Sequence, residues 1–271
     1  MRSGQSGVPY GSGLVRTAAA IAIAISIGGC AGKDRMSTGS VNRSGGQQAE
    51  QLSAGQLHSE TDRLGRAYAA NPKDKNLSLR YAAVLQISGR ADQSLAVMRR
   101  AAIMHPKDRD VLAAYGKALA AAGEFEPALD AVRRAQTPEY PDWKLVSAEA
   151  AILDQLGKPQ DARTLYRRAL DMKPNEPSVL SNLGMSYVLE GDLKTAEMHL
   201  RAAIAAPGAD SRVRQNLALV VGLQGRFKDA EQIATHELSP DQASANVAYL
   251  RSMLAQQNAW SQLEKEEKNT N

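Results

Sequence analysis

Across 271 residues this chain holds one cysteine, Cys30, and only two phenylalanines and two tryptophans. A lone cysteine closes no internal disulfide; in an exported chain it serves a partner bond, a reactive thiol or a modification. Aromatic residues make up 4% of the sequence, β-branched residues are few and Ala is abundant. That composition argues against sheets and for helices that approach one another through small side chains.

A clustered excess of charge is also missing. Lys and Arg total 33 against 29 Asp and Glu, and two of the positives, Arg2 and Arg16, precede Cys30 with no acid beside them. Without the segment before Cys30 the balance is 31 to 29, so the pI near 9 overstates the basicity of the remainder. A nucleic-acid binder carries a larger, clustered excess, and no nucleic-acid partner is expected. Chemistry-bearing patterns are absent as well. His58, His105, His199 and His236 include no i, i+4 pair, and no Cys joins them. The chain has no Gly-rich phosphate loop, no G-x-S-x-G and no H-E-x-x-H. The expectation is no metal, no cofactor and no enzyme.

No apolar run is long enough to span a bilayer as a permanent helix, which takes about 20 residues. The longest candidate, "TAAAIAIAISI" at residues 17–27, follows a polar, Gly-rich start carrying Arg2 and Arg16. Gly28, Gly29 and Cys30 come next. A charged start, a short apolar stretch and small residues at the cut describe a secretory signal. The "IGGC" at its end resembles the lipobox of bacterial lipoproteins. That resemblance implies cleavage before Cys30, a signal over residues 1–29, and lipidation of Cys30 with three acyl chains. One chain anchors only marginally, and stable anchoring takes more. Ala31, in place of Asp, implies by the same resemblance the outer membrane, with the protein facing the periplasm. Residues 30–52, rich in Gly, Ser and Gln, bury no core and read as a flexible tether. At roughly 5–6 Å × √n it reaches about 25 Å.

The remainder is periodic. Gly89, Gly123, Gly157, Gly191 and Gly225 are spaced 34 apart, as are Ala67, Ala101, Ala135, Ala169 and Ala203. Pro72, Pro106 and Pro174 fall on the same grid. An apolar helical pattern precedes each glycine, which can take positive φ and close the helix. A second helix follows, and a Pro near its end forbids continuation. Small residues recur where helices must meet: Ala82, Gly116, Ala150, Gly184 and Ala218 on first helices, and Ala128, Ala162, Ala196 and Ala230 on second helices. Ser94 is the exception. The period and the "LGMSY" at Leu183–Tyr187 resemble the tetratricopeptide repeat. The expected fold is all-α, a tetratricopeptide superhelical solenoid over residues 53–260. It has five units (75–108, 109–142, 143–176, 177–210, 211–244), a preceding helix near 54–70 and a closing helix near 241–257. Residues 261–271 form a charged tail expected to fray.

By the geometry of that repeat, first helices line a concave groove. The candidate protein-binding residues there are Asn76, Leu79, Ala83, Gln86, Asp110, Lys117, Lys144, Ser147, Asp154, Ser181, Met185, Arg212 and Gln215. Such a mixed, fairly apolar groove suits an extended or helical protein segment. The chaperone-type carboxylate clamp places Lys and Asn on its first repeat; Leu79 and Ala83 stand there instead. Two further rows, Arg99, Arg133, Arg167 and Arg201 beside Arg66, Arg100, Arg134 and Arg168, lie late on second helices. They read first as a solvated face whose cations suit the helix dipole, and second as a stripe for an acidic partner or anionic lipid.

The closing segment "LSPDQASANVAYLRSMLAQ" (Leu238–Gln256), together with lipobox, tether and repeats, resembles the tetratricopeptide lipoprotein of Tad/Flp pilus assembly (the TadD family). That resemblance implies a part in pilus assembly and secretion, with pilus or secretion machinery such as a secretin as partner. Alternatives are a type IV pilotin, an outer-membrane protein assembly factor, or a regulator of peptidoglycan enzymes.

Overall fold

The computed structural model describes residues 54–270, with side chains over 55–256. The expected signal, Cys30 and the tether lie outside the described residues. Twelve helices follow in order: α1 (Ala54–Ala70), α2 (Lys75–Ile87), α3 (Ala91–Met104), α4 (Arg109–Ala121), α5 (Phe125–Ala135), α6 (Trp143–Gln155), α7 (Pro159–Met172), α8 (Pro177–Leu189), α9 (Leu193–Ala205), α10 (Ser211–Leu223), α11 (Phe227–Ala234) and α12 (Pro240–Thr270). Among the described residues there is no strand, only an isolated bridge between Thr137 and Tyr140. The pairs from α2/α3 to α10/α11 are the five expected units.

Local chemistry sets where each first helix begins. Asp74, Asp108, Asp142 and Asp210 lie on the repeat grid as N-caps. Their carboxylates accept from the amides of Leu77, Val111, Lys144 and Val213 at 2.9–3.1 Å, satisfying donors that the first turn leaves unpaired. Glu176 takes the corresponding place before α8 and makes no such bond; Pro177 opens that helix instead, its fixed φ suited to the first position.

The grid glycines end the first helices. Gly89, Gly123, Gly157, Gly191 and Gly225 have φ between +71° and +82°, a region that costs any residue with a Cβ. The amide after each glycine reaches back to a carbonyl in the last turn, as in Glu124 N–H to Leu119 at 3.0 Å and Lys158 N–H to Leu153 at 2.9 Å. This is the Schellman closure, and it turns the chain into the second helix.

Packing then follows the small residues. Ala128, Ala162, Ala196, Ala135, Ala169 and Ala203 are fully buried. A Cβ on Gly116 would fall 2.6 Å from Val132 Cγ2, and one on Gly184 would fall 3.0 Å from both the Ala196 carbonyl and Leu200 Cγ. The helices touch there through backbone. Ser94 is buried like the alanines on its grid, and its hydroxyl donates to the Ala82 carbonyl at 2.8 Å. The exception therefore leaves no unmet hydrogen bond.

Each second helix packs on its own first helix and on the first helix of the next unit. First helices also touch along the array: α2 with α4, α4 with α6, α6 with α8 and α8 with α10. They form the inner face, and second helices form the outer one. At the N-terminal end α1 covers α2 through Leu64 against Val84. At the other end α12 packs on α10 and α11, and Leu250 fills the notch left by Gly222. The closing helix is longer than its sequence pattern suggests and runs to Thr270. Strong helix formers in "LEKEEK" account for the continuation.

Candidate protein-docking groove

Inward positions recur at the second, fifth, sixth and ninth residues of each first helix. A shallow notch between α6 and α8 makes that register visible: Lys144, Ser147, Ala148 and Ala151 form one wall, Ser178 and Asn182 the other, and Trp143 closes one end. Of the groove residues expected from sequence, Asn76, Ala83, Asp110 and Gln215 are exposed, and Leu79, Gln86, Lys117, Lys144, Asp154, Met185 and Arg212 are half-buried. Ser147 and Ser181 are 7% and 1% exposed. Ser181 lies beneath Asn216, whose amide donates to its hydroxyl at 3.0 Å. The groove floor is thus made of small residues, and its accessible polar groups are longer side chains.

Charge is uneven along this face. Lys144 Nζ lies 5.7 Å from the centre of the Trp143 ring. Burial, together with nearby Lys144 and partly offset by Asp142, brings the Lys117 ammonium down to a pKa of about 8. Asp110 stands 3.9 Å from Lys75, whose closer partner is Asp108 at 2.8 Å. Arg212 pairs with Asp210 at 3.4 Å.

Asp154 belongs to a polar seam beneath the groove. Its carboxylate accepts from the Ser186 hydroxyl at 2.7 Å and from the Tyr166 hydroxyl at 3.1 Å. Burial raises its pKa against the pull of those hydrogen bonds, and burial likewise raises that of Tyr166. Beside it Arg163 is 4% exposed, pairs with Glu190 at 2.6 Å and lies over the Tyr187 ring at 4.7 Å. Tyr187 in turn stacks on His199, with ring centres 5.4 Å apart. The Arg163 Nη1 has no hydrogen-bond partner among the described residues.

Sequence patterns alone had not pointed to this seam, although a signal was there. Tyr166 occupies the grid place of Met98, Val132 and Leu200; Ser186 that of Val84, Ala118, Ile152 and Val220; Arg163 that of Leu95 and Leu129 but also of Glu197 and Glu231. Polar groups replace apolar ones at two core positions of adjacent units, Tyr166 and Ser186, and they do so together.

The arginine rows on the outer face are largely engaged. Arg99 pairs with Glu124, Arg133 with Glu149, Arg134 with Asp130 and Arg201 with Glu197. Arg167 donates to the Arg163 carbonyl at 3.2 Å. Exposed pairs of this kind contribute little to stability. Among the described residues no group of three His, Cys, Asp or Glu could hold a metal, and no helix is long and apolar enough to cross a membrane.

Stacked helical hairpins with short second-helix connections and a continuous inner face define a solenoid of the tetratricopeptide class. The sequence model of the tetratricopeptide repeat family matches residues 85–142 and 147–211. Such repeats are scaffolds for binding other proteins. No curated protein matches the chain in sequence. Among solved structures it is similar to a thermophilic tetratricopeptide protein of Thermus thermophilus, with 22% identity, a TM-score of 0.58, 65% of this chain and 98% of that one. It is also similar to PilW, at 18% identity and TM-score 0.57 over 77% of this chain and 96% of that one. PilF of Pseudomonas aeruginosa follows at 18% and 0.53, over 75% and 93%. At these identities the likeness establishes the fold.

Proposed function

We propose that this protein is a lipid-anchored scaffold of the bacterial outer membrane that holds a component of a Tad/Flp pilus machine, such as its secretin, during assembly. The observation that carries the reading is the joining in one chain of "IGGC" at Ile27–Cys30 to a repeat array closed by "ANVAYLRSML" at Ala245–Leu254. The lipobox supplies location through acylation of Cys30, the tether supplies reach, and the groove supplies a surface for an extended or helical segment. PilW, described as a widely conserved type IV pilus biogenesis factor, has the same fold, which makes the architecture suitable for such work without assigning it.

The test is a photo-crosslinking residue in place of Met185, with the full chain expressed in its native cell envelope. Crosslinked secretin or pilus machinery in the outer-membrane fraction is expected, with loss of that fractionation in Cys30→Ser. Capture of peptidoglycan hydrolases or synthases alone would sink the pilus reading and favour a regulator of cell-wall enzymes.

A further inference from the structure

Ion pairs join neighbouring units, and their polarity is not constant along the array. At the junction of the third and fourth units the cation belongs to the second helix. Arg163 on α7 pairs with Glu190 at the end of α8 at 2.6 Å, and Asp192 in the following turn lies within its electrostatic reach. At the next junction the grid equivalent of Arg163 is Glu197, and the equivalents of Glu190 and Asp192 are Gln224 and Arg226. There the anion belongs to the second helix. Glu197 on α9 accepts from Gln224 Nε2 at 2.8 Å and from Arg226 Nη1 at 2.9 Å. The three positions change together.

Burial gives these two junctions their weight. Arg163 is 4% exposed and the Glu197 side chain 13%. The arginines that join the first three units, Arg99 to Glu124 and Arg133 to Glu149, are 51% and 55% exposed. Exposed pairs contribute little, whereas a buried charge that loses its partner is strongly destabilising. Arg163 Nη1 already lacks a hydrogen-bond partner among the described residues, so the contact with Glu190 is the one that meets its charge.

A stack of similar 34-residue hairpins carries a hazard, since any second helix offers much the same packing face to any first helix. The small residues do not discriminate: α7 presents Ala162 and Ala169 where α9 presents Ala196 and Ala203, all four fully buried. Charge does. Closing α7 directly on α10 would set Arg163 against Arg226. Closing α9 on the α8 of a second copy would set Glu197 against Glu190 and Asp192. We propose that the reversal of polarity between these junctions is an ordering device, which fixes the succession of the third, fourth and fifth units by making skipped or repeated pairings unfavourable. It concerns the array itself and stands whatever partner the groove holds.

The test is a change of sign. Deleting residues 176–209 removes one period, keeps Asp210 as the cap of α10 and brings α7 onto α10. In the full chain Arg163→Glu should lower the melting temperature by about 10 °C, as expected for placing a buried charge beside like charges. In the deleted chain the same substitution should raise it, because residue 163 then meets Gln224 and Arg226 as Glu197 does. Deleting residues 108–141 also removes one period but leaves Arg163 beside Glu190, so there Arg163→Glu should again be destabilising. Thermal melts followed by circular dichroism in mild detergent give the comparison. An effect of the same sign in the full chain and in the 176–209 deletion would overturn the proposal, as would no effect in that deletion. If that deletion alone fails to fold, recovery of a cooperative melt by Arg163→Glu is the expected result, and continued failure would overturn it equally.

Discussion

Asp154 shows how one residue departs from its repeat. Its grid equivalents are Gln86, Ala120, Val188 and Gly222, yet it is a half-buried carboxyl held by Tyr166 and Ser186. Because burial raises its pKa above the ordinary 3.8, the folded protein binds its proton more tightly than the unfolded chain does. Stability therefore falls as pH rises from 3.8 through the raised value. Glu60, Asp108, Asp192 and Glu197 are shifted down and act in the opposite sense, so the useful quantity is a difference. Asp154→Asn removes the ionisation, and wild type should lose stability relative to the variant as pH rises through that window. Urea midpoints that track one another at every pH would refute this. The two sequence neighbourhoods that meet at Asp154 are 12 and 32 residues away, which is why grid substitutions hint at a seam but do not say that its members touch.

At the scale of elements the hairpins are nearly autonomous. An Asp cap starts the first helix, a glycine with positive φ ends it, and these two local signals place each helix within a residue or two. Gly123 has φ +82° and open space around its Cα, so Gly123→Ala isolates the conformational cost from any clash. It should cost about 1–2 kcal/mol, read as a lower urea midpoint. Gly55→Ala, also in open space but without positive φ, should be neutral or slightly stabilising. If both behaved alike, the turn would not depend on the left-handed conformation. Gly116 is a different case, being required by contact with Val132 across the hairpin, and its role needs the packed pair of helices to become apparent.

Taken whole, the molecule is a one-dimensional stack in which each unit is supported chiefly by its neighbours. Ends are then special. Truncation after Leu238 would strip α12 from α10 and α11, uncovering the surface where Leu250 and Val247 pack. Amide exchange should quicken in α10 and α11 first and leave α4 to α7 protected, whereas uniform loss would show a single cooperative core. The sequence by itself determined the hairpin count, the helix boundaries within the repeats and the register, because those follow from short-range rules repeated every 34 residues: caps, positive-φ glycines and small residues at contacts; the closing helix, outside the repeat, ran on past its pattern to Thr270. Only the tertiary structure decided which side chains of that register stay accessible. Ser181 goes under Asn216, and Arg99, Arg133, Arg134 and Arg201 find carboxylates. Burial and electrostatic proximity between units arise from stacking, a relation among residues far apart in the chain that no local pattern encodes.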